Sequence, residues 1–289
     1  MRPRILLRWQ FCGTREQLVL EPSLRRCLFA TLLVLASGQH MTVVALAGDV
    51  GSHSEIPDLA HPLIAESPTP DTELRFEYLF VDKQNADEHI VNPEGELAIA
   101  SWASIEVDAP YVFRDSKVGA GSEDNFGVAE IALKLAHGLS QSALIGGGLE
   151  LGLPTGNDTK EIGSDNELVI EPFIDFGVKF KTFEVITFLG FGIPINQQSA
   201  EEREAKDLEL EYNLAFAYWF VPSTRFILEF DGESVVIGDD NKGVVNLTVG
   251  FIGAPSGDVP LEIGGGISFP ITADKEFDNR LIFSVLYQF

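Results

Sequence analysis

The chain has 289 residues, 45% of them apolar and 22% charged, with a formal net charge of −24 and a pI near 4.4. That length and apolar content suffice for one large domain or two ordinary ones. The acid excess excludes DNA and RNA as partners, because phosphate binding requires a surplus of Lys and Arg.

The first 47 residues run against this balance, with Arg2, Arg4, Arg8, Arg15, Arg25 and Arg26 facing only Glu16 and Glu21. Arg25-Arg26, the apolar run Cys27 to Ala36 and the small-x-small triplet Ala45-Leu46-Ala47 read as a signal peptide over residues 1–47, cut before Gly48. Both cysteines, Cys12 and Cys27, fall inside it. The exported chain would therefore have no thiol, hence no disulfide, thiolate metal site or cysteine nucleophile. Residues 48–70 mix Pro, Ser, Gly and acids without period and read as a flexible periplasmic leader. Its histidines, His53 and His61, are expected to be solvated, so no metal site is assigned.

From residue 71 to Phe289 the dominant signal is a period of two, the pattern of strands whose faces meet different surroundings. Leu208, Leu210, Tyr212, Leu214, Phe216, Tyr218 and Phe220 alternate with Glu209, Glu211, Asn213, Ala215, Ala217 and Trp219. The pattern predicts twelve strands near 72–82, 90–100, 103–114, 125–137, 141–154, 167–181, 183–196, 207–221, 223–237, 243–255, 259–272 and 278–289. No apolar run beyond residue 47 approaches a membrane helix.

Connectors after the third strand alternate between tight ones, such as Lys181-Thr182 and Pro222-Ser223, and longer polar ones, such as 155–166 and 197–206. Short turns on one side and long loops on the other mark an outer-membrane barrel. Rising strands are expected to end near Pro110, Pro154, Pro194 and Pro270, since proline cannot donate to a ladder. Phe183, Trp219, Phe220, Phe226 and Phe289 below, with Phe80, Tyr111, Phe113 and Phe269 above, suggest interfacial aromatic girdles. The fold expected is an all-β, transmembrane, antiparallel up-and-down barrel of about twelve strands in the outer membrane, its apolar face against outer-membrane lipid. A membrane sheet must close, because hydrocarbon offers an open edge no hydrogen-bond partner.

If the apolar face meets lipid, the alternate positions face a lumen. The lumen-facing candidates are Glu106, Asp108, Glu130, Lys134, Glu150, Glu171, Asp175, Lys179, Glu209, Glu211, Arg225, Glu229, Asp231, Glu262 and Arg280. So acidic a set favours cations or dipolar neutral solutes over anions, unless its Lys and Arg pair with carboxylates and fill a narrow barrel. Gly146-Gly147-Gly148 and Gly264-Gly265-Gly266 sit mid-strand, where a missing side chain permits close approach. No cofactor motif occurs, and no catalytic residue is assigned. Outside prefix and leader only His89 and His137 remain as bases, without a nucleophile elbow. The reading is a passive channel for a small-molecule solute. The alternatives are a structural barrel whose acidic loops bind ions or a partner, and an outer-membrane hydrolase.

Three stretches carry a resemblance: Glu106 to Val112, Phe126 to Lys134, and Glu150-Leu151-Gly152-Leu153-Pro154-Thr155-Gly156-Asn157. Over roughly residues 72–289 they resemble the outer-membrane transporter family named for the meta-pathway of phenol degradation. The resemblance implies a barrel passing small molecules, often aromatic or otherwise hydrophobic. At Phe126 to Glu130 the sequence departs from the Gly-rich turn with Asp that the family shows. The ending Leu286-Tyr287-Gln288-Phe289 is similar to the signal that barrel-assembly machinery recognises, with Phe289 as the contact.

Overall fold

The computed structural model describes residues 56–119, 121–195, 208–237, 243–255 and 259–289, with a separate antiparallel pair, Ile5–Arg8 and Gln17–Leu20. Apart from that pair, the expected signal peptide (1–47) and the first part of the leader (48–55) lie outside the described residues.

Alternation of β-branched, aromatic and small residues gives twelve strands: β1 (Glu73–Asp82), β2 (Ala86–Ala100), β3 (Ala103–Asp108, resuming as Tyr111–Ser116), β4 (Ser122–Phe126, resuming as Ala129–Ser140), β5 (Ala143–Leu153) and β6 (Val169–Phe180). The rest are β7 (Phe183–Pro194), β8 (Leu208–Val221), β9 (Thr224–Ile237), β10 (Gly243–Gly253), β11 (Leu261–Pro270) and β12 (Asn279–Gln288). Each pairs antiparallel with its sequence neighbours, and β12 returns to β1, from Asn279 opposite Asp82 to Gln288 opposite Glu73. The cylinder is closed, and only the extension Ser122–Phe126, which pairs on one side with Tyr111–Ser116, keeps a free edge.

Outside, Phe76, Ile105, Leu133, Ile145, Ile174, Phe251 and Phe283 stand exposed, while their sequence neighbours on the other parity are buried or half-buried. An apolar belt around a closed sheet is what hydrocarbon selects. Turns at Ser101-Trp102, Gln141-Ser142, Lys181-Thr182 and Pro222-Ser223 define the lower end, where β1 begins and β12 finishes. The longer connectors 154–168 and 271–278 lie at the upper end.

Four sequence-based expectations are corrected. The connector expected at 83–89 is only 83–85, because the Lys83 N–H donates to Ala86 O and β2 starts at once. The strand expected over 103–114 is broken at Ala109-Pro110, opposite Asn92-Pro93 of β2; two prolines facing each other there remove ladder donors. Pro110 is thus an interior break and not a rim residue, and beyond it Tyr111–Ser116 and Ser122–Phe126 form an exposed hairpin extension. Trp219 belongs to no girdle: it faces inward and donates from Nε1 to Glu184 Oε1 at 3.2 Å.

The largest correction concerns the leader. Residues 56–70 do not trail in solvent; they are packed inside the lower end of the barrel. Leu59, Ala60, Leu63 and Ala65 are buried, and both apolar core clusters of the molecule are built around them.

Candidate functional site in the barrel lumen

The N-terminal segment fills the lower lumen through two leucines. Leu59 packs with Ala136, Leu144, Ile186 and Ala215 on the β4–β8 wall, and Leu63 with Ile227, Ile252 and Ile282 on the opposite wall. Inward glycines receive them. A methyl group added at Gly264 or Gly266 would approach Leu63 to 2.8 or 2.7 Å, one at Gly250 would overlap it, and one at Gly177 would overlap Leu59. Burying each leucine contributes roughly 1.5–3 kcal/mol relative to leaving it in water.

Backbone groups carried into this interior need partners. Glu229, fully buried, accepts three successive N–H groups: Leu63 at 2.6 Å, Ile64 at 3.0 Å and Ala65 at 2.8 Å. Successive amides converging on one carboxylate form an anion nest, and charge-assisted bonds of this kind are the stronger class. Glu184 accepts from Ala60 N at 2.6 Å and pairs with Lys179 at 2.9 Å. Arg225, bidentate to Glu262 at 2.6 and 2.5 Å and 4.8 Å from the Trp219 ring centroid, donates to His61 O. Lys134 pairs with Glu66 at 3.4 Å as well as with Glu96 and Glu106.

His61 is therefore buried, contrary to the solvated linker histidine expected. Its ring lies between Asp71 and Glu73, each at 3.4 Å. Burial opposes a charged imidazole, but Glu73 and Asp71 outweigh it and hold the pKa above the ordinary histidine value. Asp58 is pushed above its ordinary value by burial first and by Asp71 second.

The upper lumen is built differently. All fifteen lumen candidates have the parity opposite to the exposed apolar residues, but they divide into two groups. Lys134, Glu106, Lys179, Arg225, Glu229, Glu262, Arg280 and Asp231 are tied into the pairs above or, for Arg280 and Asp231, to each other at 3.0 Å. Asp175 lies over Gly146, whose missing side chain makes its space. The others form a belt across the register. Asp108 is opposite Glu130, Glu150 opposite Glu171, and Glu211 opposite Glu233, while Glu171 leans over Gly190 and Gly192 toward Glu209. Among the described residues no Lys or Arg lies within 4.0 Å of Asp108, Glu130, Glu150, Glu171 or Glu211. A cavity of about 320 Å³ opens at the rim among Glu209, Glu233, Asp274, Lys275 and Glu276.

Neither remaining histidine enters the lumen. His89 faces outward and shares a 2.6 Å hydrogen bond with Tyr78 Oη, and His137 is exposed on β4. Sequence reasoning missed the plug residues Leu59, His61 and Leu63 as parts of the site. The inward glycines were the available signal, since each marks a gap that something must fill.

The closed sheet, apolar belt and polar interior define the class: a β-barrel of the outer membrane. The chain folds like an outer membrane channel from Pseudomonas putida F1, with a TM-score of 0.61 and 13% identity over 81% of this chain and 100% of that one. It also folds like the NanC porin, with a TM-score of 0.53 and 8% identity over 75% of this chain and 98% of that one. At these identities the likeness is one of fold. No family model and no curated protein matches the chain.

Proposed function

We propose that the protein is an outer-membrane channel for passive passage of small molecules, favouring cations over anions, whose lower end is closed by its own N-terminal segment. The observation that carries this reading is the upper acidic belt. Carboxylates facing one another without a cation between them attract counter-ions from solution, and a low-dielectric wall strengthens that field. The fold likeness to an outer membrane channel and to a porin supports passage. The sequence resemblance to the family named for the meta-pathway of phenol degradation supports small, hydrophobic or aromatic solutes as cargo.

The test is a planar-bilayer recording of refolded full-length mature protein under a salt gradient. A reversal potential of the sign for cation preference is expected, with small conductance while the segment is seated. Anion preference would overturn the selectivity. A second reading, a non-conducting structural barrel, draws on the tight seating of Leu59 and Leu63 in their glycine gaps. It would prevail if bilayers stayed silent even after residues 48–70 were removed.

A further inference from the structure

Where the N-terminal segment joins β1, one imidazole and two carboxylates meet in the interior. His61 Nδ1 is 3.4 Å from Glu73 Oε1, and His61 Nε2 is 3.4 Å from Asp71 Oδ2. Donor atoms from the three residues lie within 4.8 Å of one another. His61 and Glu73 are 4% and 2% exposed, and His61 Nδ1, Asp71 Oδ2 and Glu73 Oε2 have no hydrogen-bond partner. Three orphaned polar atoms in one cluster, two of them on side chains more than nine-tenths buried, call for a partner.

A proton on His61 answers this only in part, since one imidazolium supplies a single positive charge to two carboxylates, the buried Glu73 and the half-buried Asp71. Arg75 is shared among more carboxylates, its guanidinium lying nearest Glu77 at 3.8 Å and Glu94 at 3.7 Å. A divalent ion would neutralise both carboxylates while leaving the imidazole neutral.

We propose that His61, Asp71 and Glu73 bind a divalent transition-metal ion with the ligand preferences of zinc, tying the plug to the foot of β1. Zinc bonds to nitrogen and carboxylate oxygen place neighbouring ligand atoms of a tetrahedron roughly 3.4 Å apart, so donor atoms that now lie within 4.8 Å of one another would draw in around the ion. The ion takes the unpartnered Nδ1. The opposite ring nitrogen then carries the proton and needs an acceptor, and the Gln288 side-chain amide, 3.0 Å from Nε2, supplies it once turned to present its oxygen. Asp71 is itself steadied from Glu96, which accepts from the Asp71 N–H at 2.9 Å. The ion closes the chain between position 61 inside the lumen and positions 71 and 73 at its exit, so metal occupancy and plug docking are thermodynamically linked.

The test uses tag-free full-length mature barrel in detergent, stripped with a chelator and titrated with Zn²⁺ by calorimetry and with Co²⁺ by visible absorption. One ion per barrel is expected, with a tetrahedral cobalt spectrum. His61→Gln and Glu73→Gln should each weaken binding tenfold or more, while His89→Gln on the outer face leaves it unchanged. Gel mobility without boiling shows whether each variant still forms the barrel. X-ray absorption on the zinc-loaded wild type gives a readout independent of variants, with one imidazole among oxygen donors expected. Sub-stoichiometric binding by the wild type, equal binding by His61→Gln, or a shell lacking imidazole would each overturn the assignment.

Discussion

The two halves of the lumen are built from the same residue types to opposite ends. Below, most carboxylates that touch the N-terminal segment are spent on a backbone amide, a lysine or an arginine, and apolar side chains fill much of what remains. Above, Asp108, Glu130, Glu150, Glu171 and Glu211 line the wall with no basic residue within 4.0 Å of them among the described residues. Acid content alone is therefore no measure of how a pore treats ions. What counts is whether the barrel answers its own charges or leaves them to the solution.

The sharpest way to break this contrast is to remove the lower half's contents. Deleting residues 48–70 should raise single-channel conductance several-fold in planar bilayers; an unchanged conductance would place the barrier elsewhere. Next in size is Leu63→Ala. Emptying its socket among Gly250, Gly264 and Gly266 should cost about 2–5 kcal/mol of plug docking, read as faster protease cleavage within 56–70 on folded barrels. Glu229→Gln keeps shape but removes the negative charge from three amide donors; it should loosen the same segment by about 1–3 kcal/mol, seen as flickering conductance. Smallest is the upper-half change. Glu150→Gln with Glu171→Gln should lower the cation-to-anion permeability ratio while leaving protease resistance of the plug untouched. If that pair also freed the segment, the two halves would not be independent.

Most of the cylinder was legible in the sequence because strand alternation is local. Leu208 to Phe220 declares its two faces without reference to any other strand, and the parity of all fifteen lumen candidates, opposite to that of the exposed apolar residues, follows from the same alternation. The break at Ala109-Pro110 was half visible: the proline was recognisable, but not that Pro93 would face it across the ladder. The plug was not legible. Leu59 and Leu63 stand in a stretch without period, and their burial depends on Ile186, Ile227 and Gly264, more than a hundred positions away. Sequence composition there reported a loop correctly, but a loop is not obliged to stay in solvent when a carboxylate such as Glu229 accepts its amides.

The glycine sockets also order events in time. Leu63 belongs to the start of the chain, yet its receptacle is shared by β10 and β11, which are among the last strands to be made. No partial sheet of early strands offers that receptacle, so docking of the leucine must follow the arrival of the C-terminal hairpin. A fluorophore near position 63 would thus report the moment at which the cylinder is completed.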